Sequence, residues 1–339
     1  MTYIFFCDIM SKIAVVKGSD RKDNILKALK MLEADVNGSI VRKGKDTLFI
    51  KVNALDLSIP LCSTHPDALE AVVSFFDSKF KRIIIGDSSL SFSSKVNAYS
   101  NIKTLYPKVE FTDLSNIGSR DIIFKTTKGK DASVKLSLLP EKAYTISLAL
   151  PKSHDAVVFT GCSKNMLGCV TAQRWMVHGD MPHRRLITTN AARSNRATHL
   201  NLVELIRNCR ADLAVLDAFV GMEGNGPVIG TPIEMGIALA STDSVCLDLF
   251  ASKICGFEKV PYLEMCADAK LGSREATVLN NGFKNLEEIR KKFRPHKNYK
   301  YMLMEPRFES GFPMLDISHL LFMLSRPKRL IKKLPMLMR

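Results

Sequence analysis

No apolar run in this chain reaches the roughly 18 residues that a bilayer-spanning helix needs, so the sequence gives no reason to expect a transmembrane segment. Its eight cysteines (Cys7, Cys62, Cys162, Cys169, Cys209, Cys246, Cys255 and Cys266) contain no Cys-x-x-Cys pair. That excludes the usual ferredoxin spacing and the common zinc ribbons. Zinc-finger spacing, an aromatic RNA-binding signature and a basic zipper are likewise missing, so no recognisable nucleic-acid module accounts for the charge. There is no Gly-x-Ser-x-Gly, no Walker motif and no regular dinucleotide fingerprint, because Gly221-x-x-Gly224-x-Gly226 has the wrong spacing. Internal repeats and low-complexity tracts are also absent. Residues 1–9 are apolar but lack a basic start and a small-residue cleavage site, and read as an extension rather than a signal peptide.

What remains is a 339-residue chain, 46% hydrophobic and 24% charged, with a net charge of +15. The composition is that of a globular protein, and the excess of cations favours anionic partners: phosphorylated or carboxylated metabolites first, nucleic acid or an anionic membrane face second. Mostly apolar surroundings for the cysteines suit reduced thiols and a cytoplasmic location.

Strand and helix patterns alternate. Ile13–Val16, Thr47–Val52, Arg82–Gly86, Val109–Leu114, Thr145–Leu150 and Leu213–Val220 read as strands, with helices from Asp20 to about 35, from Pro66, around 93–105 and 200–208, from Asp243 to about Cys255, from Pro261 to about Ala269, and over 285–290. This predicts an α/β fold with a mostly parallel sheet covered by helices on both faces. Ile122–Thr126 and Ser133–Leu136 read as a hairpin, and a break near 115–145 suggests two lobes with a cleft between them. The main domain is expected over 12–317. Beyond it, 318–339 combines an apolar run with Arg326, Lys328, Arg329, Lys332, Lys333 and Arg339, which suits a docking helix, a disordered end or an anionic membrane surface.

The stretch Ala211–Pro232 carries a buried strand into Gly221, Gly224, Gly226 and Gly230. Such glycine density predicts an irregular loop, and open α/β sheets place ligands just past the carboxyl ends of their strands. Four polar clusters occupy that position: Lys51-Val-Asn53, Asp87-Ser88-Ser89, Lys152-Ser-His154, and Asp217 with Glu223, Gly224, Asn225 and Gly226. Lys51 and Lys152 are candidate anion holders. Ser88 and Ser89 either bind the same anion or cap a helix. His65 and His154 are candidate proton carriers or metal ligands, with a helix-cap role for His65 as the alternative. Asp87, Asp217 and Glu223 are candidates to orient these groups or to hold a divalent cation. Lys164 and Asn165 follow a short strand and turn, so they reach the same edge. A neighbouring lysine would activate Cys162 as a nucleophile, unless Cys162 and Cys169 simply pack. His178 and His183 accompany Asp180 in an order that matches no known metal signature.

In this order, Lys51-Val-Asn53, Ser63-Thr-His-Pro-Asp67, Gly86-Asp-Ser-Ser89, Pro151-Lys-Ser-His154, Lys164-Asn-Met-Leu-Gly-Cys169, Gly221-Met-Glu-Gly-Asn-Gly-Pro227 and Ser241-Thr-Asp243 with Asp248 resemble the domain-of-unknown-function family 362 over about residues 13–272. Family members often carry Lys-Pro-Asn where this chain has Lys51-Val52-Asn53. Many also carry an iron–sulfur segment, which this sequence lacks. The resemblance implies a cytosolic prokaryotic α/β protein and supplies no reaction. A more distant likeness, in architecture only, is to the nickel-dependent lactate racemases. The functions in competition are an enzyme acting on a small anionic metabolite, a metal-linked or iron–sulfur-linked redox protein using Cys162, Cys169 and histidines, and a non-enzymatic binder of nucleic acid or membrane.

Overall fold

A computed structural model describes residues 10–88, 92, 96–180 and 191–303. The extension 1–9, Ser89, His183 and the basic stretch 318–339 lie outside these described residues. The strands are β1 (Ser11–Lys17), β2 (Thr47–Val52), β3 (Arg82–Asp87), β4 (Val109–Asp113), β5 (Ser119–Lys125), β6 (Asp131–Ser137), β7 (Tyr144–Ala149), β8 (Lys152–His154), β9 (Val158–Thr160), β10 (Val170–Ala172), β11 (Leu213–Asn225), β12 (Ile229–Ser241) and β13 (Ala276–Asn281). The helices are α1 (Arg21–Met31), α2 (Glu33–Lys43), α3 (Pro66–Phe76), α4 (Ser100–Leu105), α5 (Leu139–Lys142), α6 (Cys162–Asn165), α7 (Ala191–Asn208), α8 (Ser244–Ile254), α9 (Pro261–Asp268) and α10 (Tyr299–Met302).

A ten-stranded sheet runs in the order β13-β1-β12-β11-β7-β2-β3-β4, with β8 joined to β11 and β9 to β8. The pairs β11–β7, β7–β2, β2–β3 and β3–β4 are parallel, whereas β12 runs antiparallel to both β1 and β11. Successive strand residues point to opposite faces, and here both faces are covered. Ile13, Val15, Phe49 and Ile84 enter one core with residues of α7, α8 and α9, while Ala14, Val16, Leu48, Ile50, Ile83 and Ile85 enter the other with α1, α2 and α3. Burial on both faces explains why these strands read as continuous apolar runs.

Helix ends follow their sequence signals. The Asp20 side chain caps α1 by accepting from Asp23 N, and Asp243 caps α8 by accepting from Val245 N and Cys246 N. The first helix does not end near 35: it breaks at Leu32 and continues as α2 to Gly44, which closes it at φ 60°, the left-handed position where glycine meets no steric penalty. Residues 285–290 form only a short 3-10 turn, Leu286–Glu288.

One larger expectation is corrected. Most of the glycine-rich stretch is strand: β11 runs into it as far as Asn225, with an irregularity in its pairing between Ala218 and Val220, and after a turn at 226–228 β12 pairs Gly230 with Gly224 and Ile229 with Asn225. The glycines permit close approach. A Cβ on Gly226 would lie 2.1 Å from the Ser153 carbonyl oxygen, which no real contact allows, and Gly224 sits at φ 76°. Across the suggested break near 115–145 the sheet is continuous, with β2 from before it paired directly to β7 from after it. That segment supplies the hairpin β5–β6, which joins β10 in a separate three-stranded sheet.

Candidate functional site

The carboxyl ends of β2 and β3, the β8–β9 pair and the turn after β9 meet around a cavity of about 530 Å³. Its lining includes Asn53, Asp87, Ser88, Lys152, His154, Lys164 and Asn165, together with Arg174, Trp175 and His178. Pro227, at the tip of the β11–β12 hairpin, reaches the same cavity.

The floor rests on a buried ion pair. Lys51, fully buried, bonds to Asp87 and donates to Val52 O at 2.7 Å. It lies beneath the cavity rather than along its lining. Gly168 covers the pair, since a Cβ there would stand 2.4 Å from Lys51 Nζ and 2.7 Å from Asp87 Oδ2. Arg174 Nη1 approaches the other carboxylate oxygen at 3.8 Å.

Above this pair runs a chain of carboxamides. Asn165 Nδ2 donates to Lys51 O at 2.9 Å and to Ser147 Oγ at 3.1 Å. Its Oδ1 accepts from Asn53 Nδ2 at 3.2 Å, and Asn53 Oδ1 accepts from Lys152 Nζ at 2.7 Å. Thr64 fixes the base of this chain, with its Oγ1 accepting from Asn53 N at 2.8 Å and donating to Leu148 O at 3.1 Å. Asp248 positions the short helix α6 that bears Lys164 and Asn165: its carboxylate accepts from Cys162 N at 2.8 Å and Ser163 N at 2.7 Å. Burial nevertheless raises the Asp248 carboxyl to about 7, against the opposing effect of those two backbone bonds.

Lys152 is 2% exposed and, among the described residues, has a carboxamide but no carboxylate within ion-pair distance. Burial brings its amine down to about 7; Cys62 and Asp87 oppose that shift, while the positive charges of Lys164 and Lys51 add to it. Lys164 is lowered to about 8, again mainly by burial, with Arg174 adding to the effect and Asp155 opposing it. His154 Nδ1 stands 3.0 Å from Ala156 N and 3.0 Å from Asp155 Oδ1. The amide favours a bare ring nitrogen and the carboxylate a protonated one, so the two contacts favour opposite states of the same atom. Val158, paired with His154 across β8–β9, takes a φ of 71°. A β-branched residue adopts that conformation only where its surroundings impose it.

Other candidates lie elsewhere. His65 caps α3 by accepting from Asp67 N at 3.2 Å. Asp217 pairs with Arg21 at 3.1 Å. Glu223 accepts from Arg294 N at 2.8 Å and pairs with its guanidinium at 3.3 Å, so it anchors the segment after β13. Gly224, Asn225 and Gly226 shape the hairpin, and of that stretch only Pro227 is part of the lining. Asp87, Asp217 and Glu223 therefore do not converge on a cation, because each is held by a different base. Among the described residues no three His, Cys, Asp or Glu side chains are grouped to hold a metal. Cys162 is buried and donates to Val215 O at 3.3 Å. Burial pushes its thiol well up, the reverse of an activated nucleophile. Cys209, also buried, has its thiol raised first by a hydrogen bond with Cys169, so Cys169 packs as well. Arg174 and Trp175 were not singled out from the sequence; the only signal was the polar, Arg- and His-rich character of the region after Cys169.

The sequence profile described as "Domain of unknown function (DUF362)" matches residues 48–253, a range that includes every strand end forming the cavity. A thylakoid-associated protein of Synechocystis sp. is 27% identical over 241 residues, covering 69% of this chain and 70% of that protein. Among the described residues no helix is long and apolar enough to cross a membrane.

Proposed function

This chain belongs to the DUF362 family, and we propose that it is an enzyme acting on a small carboxylated or phosphorylated metabolite bound in the cavity at the carboxyl edge of the sheet. The observation that carries this reading is the unequal treatment of two buried lysines. Lys51 is given a carboxylate, while Lys152, in the cavity lining, has only the Asn53 carbonyl oxygen among the described residues. Lowered by burial to about 7, such a lysine is in large part free amine near neutral pH and can accept a proton.

Lys164 and Arg174 supply the positive charge for the anionic group. Lys164 has no hydrogen-bond or ion-pair partner among the described residues, and Arg174 has only the distant Asp87 oxygen. The cavity walls lower the local dielectric and strengthen that attraction. Lys152 then takes a proton from the bound substrate, Asn53 holds the amine in place, and His154 is the second proton carrier. Pro227 and Trp175 close the sides of the cavity.

The test is the melting temperature of the protein in phosphate, and in a panel of small carboxylates, for wild type and Lys164→Ala. At least one anion should raise the wild-type value, and Lys164→Ala should respond by less than half as much. An equal response in the variant, or none in the wild type, contradicts the reading.

A further inference from the structure

Lys152 is among the residues lining a cavity of about 530 Å³, and its Nζ is fixed at 2.7 Å from Asn53 Oδ1. A carboxamide oxygen accepts one N–H and leaves the nitrogen lone pair free, whereas a carboxylate would hold the group as ammonium. No carboxylate pairs with it among the described residues, in contrast to Lys51 above Asp87. Cations for an anionic group stand in the same cavity, at Lys164 and Arg174. The cavity therefore combines an amine and an anion site, which together match a small molecule bearing both a carbonyl carbon and an anionic group.

We propose that Lys152 forms a Schiff base with such a substrate, a short oxo acid or a phosphorylated aldehyde or ketone. This rests on the anion-binding reading above and extends it to the reacting group. The step balances without an oxidant or reductant. The Lys152 nitrogen lone pair attacks the carbonyl carbon, forming a C–N bond. The C=O π pair moves to oxygen, which takes up a proton, and the nitrogen loses one. The resulting hydroxyl leaves as water with a proton from His154, the carbon–oxygen bond breaks, and a C=N bond forms. The protonated imine then draws electrons from the adjacent carbon, so that a C–H or C–C bond there becomes easier to break. Burial supports the first step by bringing the amine down to about 7, so that a large fraction is free amine near neutral pH.

The experiment is reductive trapping at pH 7. Protein is incubated with pyruvate in one arm and glyceraldehyde 3-phosphate in the other, reduced with sodium borohydride, digested and mapped by mass spectrometry. In at least one arm Lys152 should be modified at least about tenfold faster than the exposed Lys128 and Lys130, because an ordinary lysine near 10.4 carries little free amine at that pH. Trapping by pyruvate assigns the anion as a carboxylate, and trapping only by the phosphorylated aldehyde assigns it as a phosphate. In Lys164→Ala the rate at Lys152 should fall, while the surface lysines stay unchanged. Modification of Lys152 no faster than the surface lysines in both arms overturns the imine. If phosphate still raises the wild-type melting temperature and not that of Lys164→Ala, the anion site survives that failure. The comparison is made within the wild-type protein, so it does not depend on a Lys152 variant folding.

Discussion

Asn53 Oδ1 accepts a hydrogen bond from Lys152 Nζ at 2.7 Å and brings it no negative charge. That single relationship separates Lys152 from Lys51, whose equally buried ammonium rests on Asp87. An ion pair is a structural solution to a buried charge. A carboxamide leaves the charge uncompensated, and the group responds by giving up its proton.

Replacing Lys152 should therefore change how stability depends on pH. Its folded-state value, about 7, lies below the ordinary lysine value. Between roughly 7 and 10.4 the unfolded chain binds the proton and the folded one does not, so this group makes stability rise with pH across that window. Chemical denaturation of Lys152→Met against wild type at pH 7 and pH 10 should show that rise reduced by up to about 4 kcal/mol. Parallel profiles would show that Lys152 stays charged.

Asp248 works in the opposite direction and lower on the scale. Its carboxyl is raised to about 7 by burial, so between roughly 3.9 and 7 the folded state holds a proton that the unfolded state has lost. This contribution falls as pH rises through that window. Asp248→Asn should flatten the decline between pH 4 and 7, again measured by denaturation. It should also loosen α6, because one amide oxygen replaces two carboxylate oxygens that accept from Cys162 N and Ser163 N.

Gly168→Ala places a methyl group against the Lys51–Asp87 pair, with separations of 2.4 and 2.7 Å before any movement. Separating a buried pair costs on the order of 3–5 kcal/mol, and the unfolding midpoint should drop accordingly. Gly118→Ala is the control: its Cβ would meet only Leu138, at 3.5 Å, and it should fold as wild type does.

Arg21→Ala should cost about 3 kcal/mol by leaving the buried Asp217 without its partner. It should leave the response to anions unchanged, because neither residue lines the cavity. Loss of anion-dependent stabilisation in this variant would bring Asp217 back into the site.

Much of the fold was legible in the residues themselves. The strands β1, β2, β3, β7 and the start of β11 are apolar because both faces are buried, and the Asp20, His65 and Asp243 caps mark helix starts by their side-chain chemistry. The strand β12 was not legible. Its outer half is exposed and carries Gly230, Thr231, Pro232 and Glu234, so it lacks the pattern of a buried strand. Gly221 of β11 imitated a loop because its close approach to Phe293 requires the same residue that a turn does, and Gly226, packed against Ser153, does lie in the turn. Topology alone brought Asn53, Asp87, Lys152, His154 and Lys164 to one edge. It could not separate them from Asp217 and Glu223, whose partners Arg21 and Arg294 come from distant parts of the chain. Arg174 and Trp175 enter from a 3-10 turn, Arg174–His178, which has no strand-end signature.

The most direct test of the account is the titration of Lys152 itself, followed by NMR of isotope-labelled lysine side chains, with the resonance assigned by its absence in Lys152→Met. A midpoint near 7 is the result expected of a buried amine held by the Asn53 carboxamide. A midpoint near the ordinary 10.4 would show Lys152 to be a permanent cation, and neither proton transfer nor imine formation could then be assigned to it.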